Sequence, residues 1–286
     1  MICGPLVENV TITNSTAPGL VVRAGLRGIF ENVFVDNCTT GIDIDDCGAL
    51  SLSAVFSSHN SNDGIEVTDS FSINFSMVTA HNNVDDGFVI SGTSTAITID
   101  SANVCNNGDN GVFCTGTANQ INITDGIFSY NADIGIESSA TNGSVLMSGC
   151  TVSNNGGIGI DFDGANNNTT SCIVSFNGGV GIFTGTDAIV TGCHVSNNSD
   201  TGVDIIVDDN VSIMGCVIDN NGGSGISTDS SDGVIISNRV FSNTLTGITL
   251  TATADNNIVA GNNFSGNTGV SISNLGTNNS ITANKT

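Results

Sequence analysis

A glycine followed by an apolar residue returns along the whole chain at an almost constant interval, and no other feature restricts the fold so tightly. The pairs are Gly19-Leu20, Gly41-Ile42, Gly64-Ile65, Gly87-Phe88, Gly111-Val112 and Gly135-Ile136, then Gly159-Ile160, Gly181-Ile182, Gly202-Val203, Gly225-Ile226, Gly247-Ile248 and Gly269-Val270. Successive glycines lie 22, 23, 23, 24, 24, 24, 22, 21, 23, 22 and 22 residues apart. So regular a period marks one structural unit repeated along the chain. Such a unit buries its inner face only by stacking on its neighbours.

A second column confirms the phase. Four residues before the glycine stands an asparagine: Asn37, Asn60, Asn83, Asn107, Asn131, Asn155, Asn177, Asn198, Asn221 and Asn243. In the last full repeat Asn267 comes two residues before Gly269. Each repeat holds three short alternating segments, as in Gly64-Ile65-Glu66-Val67, Ile97-Thr98-Ile99 and Val152-Ser153-Asn154-Asn155. Alternation puts one side of a strand in and the other out, and segments this short are not helices. Three strands in a coil of 21 to 24 residues predict an all-β fold, a right-handed parallel β-helix of about twelve coils, as a single domain over residues 1–286. The asparagines are expected to form an inward ladder, each amide bonding to the next, and to supply the left-handed conformation of a tight turn. The glycines are expected to let the backbone turn before the next strand.

The repeats Ile235-Ile236-Ser237-Asn238-Arg239-Val240-Phe241-Ser242-Asn243 and Val259-Ala260-Gly261-Asn262-Asn263-Phe264-Ser265-Gly266-Asn267 resemble those of the pectate-lyase-like superfamily of β-helix proteins. The likeness runs from about Leu6 to Asn284. It implies the fold, but spans polysaccharide lyases, hydrolases and epimerases, phage tailspikes, and surface or adhesion proteins. Fold does not choose among these. Ile281-Thr282-Ala283-Asn284 keeps the phase of Ile235–Asn238, and neither end shows a capping helix. Three readings stay open: a segment of a longer solenoid, a subunit stacking end to end in a filament, or end coils plugged by their own side chains.

The charge balance excludes one class of partner. Acids number 27 against 4 bases, a net charge of −23. No basic patch can neutralise a nucleic-acid backbone. No apolar run of membrane-spanning length exists, so no membrane insertion is expected, and no signal peptide is visible at Met1-Ile2-Cys3-Gly4-Pro5. An acidic, polar exterior suits an extracellular, cell-surface or virion-surface protein whose partners are itself, surface glycans or other proteins.

Four of the nine cysteines, Cys150, Cys172, Cys193 and Cys216, stand nine residues before their glycine and form one inward column, filled elsewhere by Asn32, Asn238 and Asn262. They are expected to be a core stack of free thiols, because side chains that run parallel on in-register strands rarely close to disulfide geometry. Cys38 and Cys47 are a weaker disulfide candidate.

Chemistry would sit on the outward column two residues after each glycine: Val21, Asp43, Glu66, Val89, Phe113, Glu137, Asp161, Phe183, Asp204, Ser227, Thr249 and Ser271. Asp43 with Glu66, and Glu137 with Asp161 and Asp163, place like charges one coil apart. Solvated surface acids are the plain reading. A calcium site at Asp43, Glu66, Glu137, Asp161 and Asp163 is the second, and a carboxylate pair of glycosidase type at Glu137, Asp161 and Asp163 the third. The bases Arg23, Arg27, Arg239 and Lys285 fall away from these acids in sequence, Asp85-Asp86 and Asp208-Asp209 fall in turns without a histidine, and His59, His81 and His194 complete no nucleophile set. The outward aromatics Phe113, Phe183, Tyr130 and Phe176 are scattered. No coil is long enough to wall a cleft. The main expectation is therefore a non-catalytic surface element, a fibre subunit or adhesin. The alternative is a polysaccharide-binding or polysaccharide-cleaving protein.

Overall fold

A computed structural model describes residues 5–139, 143–206 and 209–286. All regular structure in them is strand, so no helix is long and apolar enough to cross a membrane. The fold is the expected right-handed parallel β-solenoid of about twelve turns, with an asparagine side-chain ladder. It divides into two compact units, residues 1–146 and 147–286.

In the first unit the glycine-led strands Leu20–Arg23, Ile42–Asp45, Ile65–Thr68, Phe88–Ser91, Val112–Cys114 and Ile136–Ser138 stack in parallel. Their register is direct, Ile42 opposite Ile65 and Asp43 opposite Glu66. The second and third strands of early coils merge: Leu26–Asp36 pairs with both Gly48–Ser53 and Phe56–Ser58. In the second unit Ile160–Phe162, Ile182–Thr184, Val203–Ile205, Ile226–Thr228, Ile248–Leu250 and Ile272–Asn274 stack the same way.

The core of each unit is a set of columns made by alternation. Ile65 and Val67 are fully buried while Glu66 and Thr68 face out. Ile160, Ile182, Val203, Ile226 and Ile248 form one such column in the second unit, all at 0 % exposure. Each fully buried aliphatic contributes about 1.5–3 kcal/mol, and the column repeats that gain every coil. In the first unit Phe75 meets Phe88 edge to face, ring centroids 5.3 Å apart.

The corners differ from expectation in an instructive way. The left-handed residue is the one before the ladder asparagine: His59, Asn82, Asn106, Tyr130, Asn154, Phe176, Asn197, Asn220 and Ser242 all have φ between 51° and 59°. That residue swings the chain so that the next side chain points in. Asn60 then donates to Asn83 Oδ1 at 2.8 Å, Asn83 to Asn107 at 3.0 Å, and Asn107 to Asn131 at 2.9 Å. In the second unit Asn155, Asn177, Asn198, Asn221, Asn243 and Asn267 continue the pattern at 2.9–3.1 Å.

Asn37 is not a rung. It is exposed, with φ 54°, and Cys38 takes the inward place, its N–H donating to Asn60 Oδ1 at 3.0 Å. Asn32 is displaced likewise, with Val33 buried beside it. Inward residues on the third strand keep a constant spacing, so the shorter loop from Cys38 to Gly41 shifts the count from the glycine by one. A second shift falls late in the chain. Thr249 pairs with Ser273, not Ser271, because the ladder residue Asn267 rather than Gly269 sets the phase.

The repeated glycines are not left-handed. Close approach demands them. A Cβ on Gly225 would lie 2.3 Å from Val240 Cγ1 and 2.7 Å from the Gly247 carbonyl oxygen. Gly225→Ala is expected to cost about 3 kcal/mol, because backbone and core must both shift. Urea unfolding checks this; a loss below about 1 kcal/mol would mean the coils separate easily.

Candidate functional site

In the first unit the structure supplies a partner that sequence distance hid. Arg23 lies opposite Asp45 on the neighbouring strand, and its guanidinium meets Asp45 and, at 2.5 Å, Asp43. The Asp43/Glu66 neighbours are thus partly neutralised by a base from the preceding coil. Burial, followed by the Asp43 charge, still raises the Glu66 pKa. Glu137 faces out beside Phe113 and accepts from Asn110 Nδ2 at 3.3 Å.

Among the described residues, an acidic group lies one column away, just before the repeated glycines. Asp63, Asp85 and Asp86 bring carboxylate oxygens within 4.8 Å of one another. Asp63 and Asp86 are buried at 7 % and 6 % exposure. Each serves the coil above: Asp63 Oδ1 accepts the Asp86 N–H at 3.2 Å, and Asp86 Oδ1 accepts the Asn110 N–H at 2.8 Å. Asn110 Oδ1 repeats the bond to the Ile134 N–H at 3.0 Å. Burial pushes Asp63 up to about 6 and Asp86 up to about 7, with the surrounding carboxylates adding to it. The signal was in the sequence: Asp63-Gly64 and Asp86-Gly87 stand one coil apart.

Two histidines of this unit gather on the third-strand side. His59 Nδ1 bonds Asp36 Oδ1 at 2.8 Å, and His59 and His81 meet edge to face at 5.7 Å. The His59 bond holds Asp36 below its usual range. His81 is half-buried, and burial lowers its pKa.

In the second unit Asp161 pairs in register with Phe183, Phe183 with Asp204, and Asp163 is exposed at a strand end. The ionisable groups that form a set lie instead on the outer face of the third strands. His194 Nε2 bonds Asp219 Oδ1 at 2.8 Å across one coil. The next coil adds Arg239, whose guanidinium carbon sits 4.2 Å over the Phe241 ring. Asn263 lies opposite Arg239, and Lys285 bridges to Asn263, so both bases of this unit share one outward column. Among the described residues neither base forms an ion pair. Tyr130 and Phe176 are about 60 % exposed at corners. Cys38 and Cys47 are both free: Cys38 stands in the ladder column, while the Cys47 N–H bonds Ser70 Oγ in another. Cys3 and Asp208 lie outside the described residues.

No curated protein matches the chain. Among solved structures, the A-module of the Azotobacter vinelandii mannuronan C-5 epimerase AlgE6 superimposes with TM-score 0.78 at 12% identity, covering 99% of this chain and 90% of that one. The catalytic unit of an α-1,3-glucanase from Streptomyces thermodiastaticus gives 0.65 at 11% identity, covering 98% and 64%. The Dettilon tailspike protein gives 0.62 at 15% identity, covering 93% and 62%. At such identities these likenesses establish the fold alone. The family model described as "Right handed beta helix region" matches residues 3–145 and 134–286, and with nearly every residue so matched the chain belongs to that family.

Proposed function

We propose that this protein binds an acidic polysaccharide along the outer face of the third strands of its second unit. One observation carries the reading: Arg239 and Lys285 share a column with Asn263 on a chain of net charge −23. A guanidinium in no ion pair and held over the Phe241 ring is preorganised for a carboxylate, and the half-exposed ring can meet a sugar face. A strand face keeps such groups at fixed coil intervals, which suits an extended polymer. His194, oriented by Asp219, adds a group able to accept a proton beside the bound chain.

The fold likeness to a mannuronan C-5 epimerase supports the substrate class, since its named polymer bears a carboxylate on every sugar. An exported or surface location follows from such a ligand. The role of surface fibre or adhesin is a second reading, supported by the likeness to a tailspike. Calcium, bridging acidic sugar and acidic protein, is the cofactor this reading admits.

Calorimetry with mannuronate oligomers tests the proposal. Arg239→Ala is expected to weaken binding about tenfold or more, the scale of one charge-assisted bond. A neutral glucan of equal length should bind far less. Equal affinity for wild type and R239A, or no binding by either, would refute the assignment. Mass spectrometry and NMR of the recovered oligomers decide whether binding leads to cleavage or epimerisation.

A further inference from the structure

The thiol column of the second unit serves no bond that the polysaccharide reading uses. Cys150, Cys172, Cys193 and Cys216 each have about 1 % exposure and follow one another in consecutive coils. They adopt one posture. Each thiol points at the carbonyl oxygen two residues earlier: Ser148 at 3.3 Å, Thr170 at 3.3 Å, Thr191 at 3.5 Å and Met214 at 3.5 Å. The adjoining strands stack in register, so the four sulfurs stand in one line, one per coil. Beyond Cys216 the column continues as Asn238, Asn262 and Asn284, where Asn238 Nδ2 donates to Asn262 Oδ1 at 3.1 Å and Asn262 Nδ2 to Asn284 Oδ1 at 3.0 Å. A run of soft donors is thus set into a column that otherwise carries amides.

We propose that this column binds a short row of soft monovalent cations of the copper(I) or silver(I) class, each held between the sulfurs of two successive coils. Coil spacing in a parallel sheet is about 4.8 Å. That is close to twice a metal–thiolate bond of about 2.3 Å, so a two-coordinate cation fits midway between stacked sulfurs without moving the coils. A disulfide fits badly, because it needs sulfurs about 2.05 Å apart and Cβ atoms near 3.8 Å. Tetrahedral zinc fits badly too, because each gap presents two sulfurs and no imidazole enters the column. Soft thiolates select copper(I) over the hard cations that the surface carboxylates would take.

The charge balance closes. Each entering cation displaces one thiol proton to solvent, one sulfur–hydrogen bond gives way to metal–sulfur bonds, and no electron is transferred. The filled column keeps the charge of the empty one, as an apolar core requires. Four sulfurs offer three gaps, so three cations are the limit.

Silver(I) is the probe, added without oxygen to the fully reduced whole chain during refolding, followed by washing with a thiol competitor. Native mass spectrometry counts the cations retained, and X-ray absorption counts the sulfurs around each. Wild type is expected to keep two or three cations more than the double variant Cys172→Val, Cys193→Val, each with two sulfur neighbours. Valine is chosen because Val55 and Val78 fill buried corner positions of the same kind in the first unit. Equal retention by the two proteins overturns the proposal, and so does loading that abolishes the β-sheet circular dichroism of wild type. A second measurement needs no variant. In a brief denaturant pulse with maleimide, silver should slow labelling of Cys150, Cys172, Cys193 and Cys216 at least tenfold while Cys105, half-exposed in the first unit, gains no such protection. Equal slowing at Cys105 and the column sites would also refute the idea. Neither readout depends on glycan binding, so its failure leaves the polysaccharide reading untouched.

Discussion

Asn198→Ala is expected to destabilise the protein by about 3–5 kcal/mol, although the change removes only a small polar side chain. The Asn198 Oδ1 accepts the Asn177 N–H at 3.1 Å and its side-chain amide at 2.9 Å. The Asn198 amide donates to the Val174 carbonyl at 3.1 Å and to Asn221 Oδ1 at 3.0 Å. Alanine deletes four bonds at once and leaves the buried Asn177 N–H and one hydrogen of its side-chain amide without an acceptor, where water cannot enter. An unmade buried bond costs about 1–3 kcal/mol, more than the net value of one made. Exposed Asn197, one residue earlier, is the control. Its backbone is left-handed, φ 57°, so Asn197→Gly should change stability by less than about 1 kcal/mol. Guanidinium unfolding of both variants decides it, and a loss under 1 kcal/mol for N198A would mean that the ladder follows from the fold without stabilising it.

The period, the three strands per coil, the ladder and the thiol column were all legible because each is a spacing, and a solenoid converts spacing directly into contact. The same rule holds off the glycine-led column. Arg23 and Asp45 are 22 residues apart, which is one coil, and they pair. His194 and Asp219 are 25 apart, one coil and two residues, and they pair as well. Asp63 and Asp86 differ by one coil but precede the glycine instead of following it, so their burial was not foreseen. The inward count failed at Asn37 for another reason. Corner positions are set by the fixed length of the third strand, while the loop between corner and glycine varies by a residue. Why Glu137, Asp161 and Asp163 stood out is equally plain: outward acids are conspicuous in a sequence, whereas an inward turn of the chain is not.

The second large effect concerns pH. Asp86 has its pKa raised from 3.8 to about 7 by burial first and neighbouring carboxylates second. A carboxyl that holds its proton more tightly when folded favours the folded state fully at pH below its unfolded value. That contribution declines as pH rises from about 4 and is gone above about 7. The full shift corresponds to roughly 4 kcal/mol, and coupling to Asp63 and partial hydration bring the expected loss to about 2–3 kcal/mol. Asp86→Asn should abolish most of this dependence. Its Oδ1 can keep the Asn110 N–H, as Asn110 does one coil later for Ile134, and it carries no charge to bury. With a chelator present, D86N should match wild type at pH 4 and exceed it by about 2 kcal/mol at pH 8. Adding calcium at pH 8 then separates two ways of satisfying the same group. If the cation replaces the proton, it raises the wild-type melting temperature and leaves D86N nearly unmoved. A wild type no less stable at pH 8 than at pH 4, relative to D86N, would mean that Asp86 is ionised without cost and that the Asn110 N–H bond alone holds its charge.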